Sequence, residues 1–216
     1  MNSRTALFSI GCTFSALWAS AFVAGKVALA FTDPLSLLMA RFAVAGFLMA
    51  AWALAWRGPT LLFERRLWID GAILGVFNNA LYLGLSFVGL MTVSPETTVL
   101  IVSTAPFMTM GLSALAGGPR SLRQALGAAV GFCGVYIVIS QRMKGGGEDF
   151  LGLALIILGT AAFSAGTVIY RMRGQRHDPV ALNGVQNLVG AAALSPFAQQ
   201  PLAPFAALGE PAFFIV

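Results

Sequence analysis

The stretch GAILGVFNNALYLGLSFVGLMTVSP, Gly71 to Pro95, runs 25 residues without a charged side chain. At ~1.5 Å of rise per residue, a helix of that length exceeds the ~30 Å hydrocarbon core of a bilayer. Outward from it the pattern recurs. Uncharged runs of 21, 23, 18, 21 and 31 residues cover Thr5 to Gly25, Thr97 to Pro119, Gln124 to Gln141, Phe150 to Tyr170 and Pro179 to Gly209. Pro34 to Trp56 adds 23 residues broken only by Arg41, and Pro211 to Val216 reads as the start of a further span. The expectation is an all-α polytopic membrane protein with seven spans and a stump.

Composition agrees. Of 216 residues 58% are hydrophobic and 10% charged, against roughly 25% charged in a soluble domain, which excludes that class. Cys12 and Cys133 fall inside apolar runs and the single histidine, His177, lies in a basic loop, so no disulfide framework or metal site is expected. No Gly-x4-Gly-Lys-[Ser/Thr] loop occurs, which argues against ATP-driven pumping, and no cofactor is expected. A net charge of +5 could suggest nucleic acid. Here the basic residues sit in short loops between spans, the signature of membrane orientation, so the expected partners are the bilayer and a small-molecule metabolite. The apolar stretch after Arg4 is too long for the core of a cleavable leader and reads as the first span.

With the N-terminus placed in the cytoplasm, Arg4, Arg57, Arg65, Arg66, Arg120, Arg123, Arg171, Arg173 and Arg176 lie inside, nine of the thirteen Lys and Arg residues. Arg142 and Lys144 lie outside, while Lys26 and Arg41 fall within spans. That bias over short loops predicts a cytoplasmic N-terminus, and the expected location is the plasma (inner) membrane. The expected spans are Ala6 to Phe31, Pro34 to Trp56, Gly71 to Leu90, Thr97 to Ala116, Gln124 to Ser140, Phe150 to Tyr170 and Val180 to Ala198. Ser94-Pro95-Glu96-Thr97 has the chemistry of a helix start: a capping hydroxyl, a proline at the first position and an acid at the positive dipole end.

Gly145-Gly146-Gly147 is the best internal boundary, dividing residues 1–144 from 145–216. A shift of 145 residues lays the sixth and seventh spans on the first and second. Asp33-Pro34 then meets Asp178-Pro179, Lys26 meets Arg171, Trp18 meets Phe163, and Arg41 meets Gln186. Five spans per unit is odd, so the second copy enters the membrane in the opposite sense, a hallmark of secondary transporters.

These residues also carry a family likeness. Leu17-Trp18-Ala19-Ser20-Ala21-Phe22-Val23-Ala24-Gly25-Lys26 resembles the first-span motif of EamA-like proteins in the drug/metabolite transporter superfamily. Asp33-Pro34 with Arg41, Pro106 in the fourth span, and Gly127, Gly131, Gly134 and Val135 in the fifth are similar to its later signatures. The resemblance implies ten helices in two inverted five-helix repeats and transport of small metabolites by alternating access, with export the expected direction. On that expectation the chain holds about seven of ten spans, the second repeat being truncated. Ala116-Gly117-Gly118-Pro119-Arg120 departs from the pattern in lacking a glutamate after the fourth span.

Polar residues inside spans are costly and mark candidate substrate contacts. Lys26 and Arg41, ~10 and ~12 Å from the outer turn by helical rise, form a candidate anion-attracting pair. The plainer alternatives are snorkelling, or pairing of Lys26 with Asp33. Asn78, Asn79 and Tyr82 lie near the middle of the third span, with Asn78 and Tyr82 on one face; lining a cavity competes with hydrogen bonding between helices. Asn183, Gln186 and Asn187 make a polar stripe on the seventh span. Trp18, Ser103, Thr104 and Pro106 complete the expected lining. Small residues at Ala16-Ser20-Ala24, Gly71-Gly75 and Gly127-Gly131 suit close helix packing. Glu96 and Asp70 stand at span ends. A seven-span receptor is the main alternative, although no lysine occupies the last span; a non-transporting truncated membrane protein is another. With no mid-span aspartate and one loop histidine, no catalytic set is expected.

Overall fold

A computed structural model describes residues 3–58, 62–118, 122–144 and 149–206. The Gly145–Gly147 linker and the stump at Pro211 to Val216 lie outside the described residues, within which all regular structure is helical. We number α1 Ser3–Ala28, α2 Pro34–Arg57, α3 Arg65–Gly89, α4 Pro95–Leu115, α5 Leu122–Lys144, α6 Phe150–Arg173, α7 Pro179–Leu194 and a short α8 Ala203–Ala206. Among the described residues five stretches are long and apolar enough to cross a membrane: Phe8–Ala28, Pro34–Trp56, Arg65–Gly89, Pro95–Leu115 and Phe150–Arg176. The fifth expected span is a shorter apolar stretch, Ala125–Gln141, inside α5. The seventh is shorter than its apolar run suggests. α7 has 16 residues, about 24 Å, and gives way to a 3-10 turn at Ser195–Phe197, where the nitrogen of Pro196 cannot donate to a continuing helix.

Helix starts follow the expected chemistry. Asp33 and Asp178 each precede a proline and cap α2 and α7, accepting from Ser36 N (2.9 Å) and from Val180 N and Ala181 N (both 3.0 Å). Ser94 caps α4 by accepting from Thr97 N. The carboxylate of Asp149 caps α6 by accepting from Gly152 N at 2.9 Å.

Contacts between loops sort the helix ends into two groups. Thr92 Oγ1 donates to Asp149, and Gln200 N donates to Asp33 and to Ser36 Oγ, which gathers the starts of α2 and α6 and the chain after α7 at one end. At the other, Arg173 and His177 reach Asp70 near the start of α3. We call these the Asp33 end and the Arg173 end.

α2 packs most extensively on α7, and α3 on α6 and α7. The larger buried cluster joins Phe22, Leu38, Phe42, Tyr82, Phe87 and Ile156; a smaller one joins Ala53, Leu67, Leu74, Leu182 and Val185. Of the three small-residue stripes, Gly71-Gly75 faces a helix along its length: a Cβ at Gly75 would stand 2.6 Å from the backbone oxygen of Gln186, so only glycine lets α3 and α7 approach this closely. Gly131 lies against Phe107, but Gly127 has open space, and Ala16 and Ser20 are exposed. Those stripes sit on α5 and α1, whose surfaces are largely uncovered.

Two irregularities interrupt the rods. α3 is α-helical over Arg65–Leu74, π-helical over Gly75–Leu83 and α-helical again over Gly84–Gly89. The third helix also begins six residues before its apolar run, taking in Arg65, Arg66 and Asp70. α4 breaks into Pro95–Val102 and Ala105–Leu115, because Pro106 has no N–H for the carbonyl one turn back. Ser103 Oγ and Thr104 Oγ1 donate instead to Leu100 O and Ile101 O, both at 2.6 Å.

Candidate substrate pathway

The polar residues inside the bundle do three different jobs. Lys26 turns its ammonium onto the carbonyls that follow α3, donating to Leu90 O, to Met91 O at 3.0 Å and to Val93 O at 3.4 Å. A positive charge there complements the negative end of the helix dipole. Asp33 does not pair with it; its carboxylate takes backbone N–H groups. Burial raises the Asp33 pKa, but the hydroxyl and N–H of Ser36 and the N–H groups of Gln200 and Gln199 outweigh it and hold the carboxyl below its ordinary value.

A second group fastens α3 to α7. Asn79, almost wholly buried, accepts from Gln186 Nε2 at 2.8 Å and donates to Asn187 Oδ1 at 3.1 Å. Asn187 in turn donates to Asn183 O, and Asn183 to Pro179 O, one turn back in each case. The buried Asn79 amide, bonded to Gln186 and Asn187, thus joins α3 to α7, while Asn183 is exposed and, among the described residues, bonds only within its own helix.

The third group lines space. Four pockets adjoin through shared residues, from the Asp33 end to the Arg173 end. The first, about 330 Å³, lies among Ala24, Phe31, Leu37, Arg41 and Phe87. A narrow one of about 100 Å³ continues past Arg41, Tyr82, Phe22 and Trp18. A third, about 430 Å³, passes Trp18, Ser103, Pro106 and Phe163. The last, about 490 Å³, runs along Pro106, Thr109, Ser113, Phe163, Thr167 and Arg171. Trp18, Tyr82 and Phe163 crowd the middle, with ring centroids 6.0 Å (Trp18–Phe163) and 4.7 Å (Tyr82–Phe163) apart.

Of the residues expected from sequence, Trp18, Arg41, Tyr82, Ser103 and Pro106 meet along this path. Lys26, Asn78, Asn79, Asn183, Gln186 and Asn187 are not among its lining residues. Among the described residues Arg41 makes no hydrogen bond or ion pair. Asn78 Oδ1, Tyr82 Oη and Ser86 Oγ are buried without a hydrogen-bond partner there. Sequence reasoning passed over Phe163 as a lining residue, although it is the counterpart of Trp18 in the 145-residue shift. It also read Arg171, on the last turn of α6, as a loop charge.

The structure reveals one more constellation. Asp70 accepts from Arg173 Nε at 2.7 Å and lies 2.9 Å from His177 Nε2, with Glu64 3.9 Å from His177 Nδ1. The Asp70 and His177 side chains are 5% and 2% exposed, so the hydrogen bond between them is buried, while Arg173 closes the clasp from a half-exposed position.

Comparison with known proteins decides the kinship. The model of the EamA-like transporter family matches residues 5–140, well over half of the chain. The chain belongs to the EamA-like transporter family. An uncharacterized transporter of Archaeoglobus fulgidus is similar, 27% identical over 184 residues. That alignment takes in 83% of this chain and 63% of the archaeal protein, so the chain spans less than two thirds of its relative. No solved structure matches. Membership of this family, together with five helical stretches among the described residues that are long and apolar enough to cross a bilayer, makes the protein an integral membrane protein.

Proposed function

We propose that this chain forms the transport route of a secondary transporter that moves a small metabolite between the Asp33 end and the Arg173 end by alternating access. The observation that carries this is the run of four adjoining pockets through the bundle. It narrows at the Trp18, Tyr82 and Phe163 rings, where a barrier is needed if the two ends are to open in turn. α4 breaks beside it, and discontinuous helices are where transporters place binding sites. Arg41, free of protein partners among the described residues, and the unpaired Tyr82 hydroxyl are the polar groups a solute would engage at the narrow point.

Two inverted repeats, residues 1–144 and 145 onward, fit this reading. The two Asp-Pro caps occupy matching positions, the counterpart rings of Trp18 and Phe163 touch, and the counterpart helices α2 and α7 pack on one another. The charge bias supports an orientation with the Arg173 end and the N-terminus on the cytoplasmic side of the plasma membrane, and export is the proposed direction.

Uptake and efflux in proteoliposomes, screened over amino acids, nucleosides and sugars, test the reading. Trp18→Ala and Arg41→Gln should each cut the rate of the accepted solute at unchanged protein level. Wild-type rates in both would sink the route. For orientation, Gly146→Cys should be labelled by an impermeant thiol reagent in intact cells and Ser121→Cys spared, in a background lacking Cys12 and Cys133. The reverse pattern overturns the assignment.

A further inference from the structure

We propose that the pocket at the Arg173 end is a binding site for an organic anion, with Arg171 taking the carboxylate or phosphate oxygens. The inference rests on the route proposed above and names the class of solute that enters it.

Charge balance comes first. No Asp or Glu is among the lining residues of the four pockets, whereas two arginines are, Arg41 toward one end and Arg171 at the other. The neighbours of Arg171 are occupied: Arg173 is bound to Asp70, and Arg176 Nη2 donates to Met172 O at 3.3 Å. Arg171 makes no hydrogen bond or ion pair among the described residues, so its planar fork of donors, matched to carboxylate and phosphate, is available to the pocket. Asp70, an acid at the same end of the bundle, is already engaged by Arg173 and His177.

The rest of the lining fits an anion with an apolar body. Thr109 and Ser113 stand one turn apart on α4, and neither hydroxyl has a partner among the described residues, so both can donate to anionic oxygens. Thr167 Oγ1 is held by donating to Phe163 O at 2.9 Å. Pro106, Met110 and Phe163 supply the apolar wall, and about 490 Å³ accommodates a small metabolite. An amine would meet Arg171 as a like charge, so the same lining discriminates against cations.

Equilibrium dialysis of radiolabelled benzoate against the full 216-residue chain in phosphatidylcholine nanodiscs tests this, with phenyl phosphate, benzylamine and benzyl alcohol as competitors. Phenyl phosphate should compete and the amine and alcohol should not. Arg171→Gln should weaken benzoate binding roughly tenfold or more, as removal of a charge-assisted hydrogen-bonding partner does. Arg171→Lys should recover most of it, and Arg176→Gln, at the same end of the bundle, should leave it unchanged.

Absence of saturable benzoate binding by the wild type, or equal losses in Arg171→Gln and Arg176→Gln, overturns the proposal. A lipid phosphate could satisfy the same chemistry. Native mass spectrometry separates the two: loss of a co-purified phosphatidylglycerol from Arg171→Gln with benzoate affinity intact would make this a headgroup site and overturn the solute site. Should Arg171→Gln fail to fold, Thr109→Val with Ser113→Ala must still weaken benzoate; unchanged affinity refutes the pocket. Saturable, Arg171-dependent binding alongside wild-type transport in Trp18→Ala and Arg41→Gln would sink the route while leaving the anion site standing.

Discussion

Replacing Asp70 should destabilise the protein more than its place near the end of a helix suggests. Its carboxylate meets Arg173 Nε at 2.7 Å and His177 Nε2 at 2.9 Å, and the two bonds differ in weight. The side chain of Arg173 is 50% exposed, so that pair is screened and contributes about 0–1 kcal/mol. The His177 bond is buried on both sides, 2% and 5% exposed, and a buried hydrogen bond to a charged group contributes about 1.5–3 kcal/mol. Asp70→Ala removes both and strands the imidazole, which predicts a loss of about 2–4 kcal/mol. Asp70→Asn keeps the size and one hydrogen bond to His177 and should lose about half as much, while Arg173→Gln should cost under ~1 kcal/mol. The assay is reversible unfolding of purified protein in mixed micelles, titrated with SDS and followed by far-UV circular dichroism. Arg173→Gln as damaging as Asp70→Ala would refute the reasoning, because it would move the weight of the clasp from the buried bond to the exposed one. So would an Asp70→Ala loss below ~0.5 kcal/mol, the range of an ordinary surface change.

Three further outcomes follow from the packing and the caps. Gly75→Ala should push α3 from α7 and cost about 1–3 kcal/mol as an overpacked contact, read as a lowered SDS midpoint; an unchanged midpoint would mean the helices do not approach as described. Asp33→Ala should cost about 1 kcal/mol as a lost cap. Because the folded pKa of Asp33 lies below its ordinary value of 3.8, its contribution is fully present above that value and is lost as pH falls through the folded pKa; a wild-type minus Asp33→Ala difference that stays constant down to the acid limit contradicts this. Lys26→Gln should lower stability through the carbonyls it leaves at the end of α3, whereas Arg41→Gln should leave stability intact and impair transport. The opposite split would return Lys26 to the substrate path.

Much of the architecture was legible because hydrophobic runs of span length have few alternatives. The Asp-Pro and Ser-Pro caps could be read because their chemistry is local. What sequence could not supply was which neighbour each polar group meets. Asn79 with Gln186 and Lys26 with Leu90 are joined across about a hundred and about sixty residues respectively, and composition says nothing of such pairings. For the same reason the amide stripe on α7 could not be divided from sequence: Gln186 and Asn187 meet Asn79 of α3, while Asn183 is exposed and donates to Pro179 O in its own helix. The clasp at Asp70 was hidden because its members look like ordinary polar groups at span ends, and only folding buries Asp70 against His177. Phe163 carried a readable signal, its alignment with Trp18, which ranked below polarity as a criterion for lining. The change from α to 3-10 geometry at the end of the seventh span was hidden because apolarity continues past Pro196.

The π-helical stretch of α3 contains spare length. Each of its hydrogen bonds closes a loop one residue longer than in an α-helix, spanning i to i+5. Deleting Ala80 can therefore be absorbed by tightening one turn, with Arg65 and Gly89 keeping their faces. The same deletion in the middle of α2, which has no slack, turns everything beyond it by about 100°. Loss of one residue, usually ruinous inside a membrane span, should thus be tolerated for folding in α3 and not in α2, and yields of folded protein from the two deletions would show whether it is.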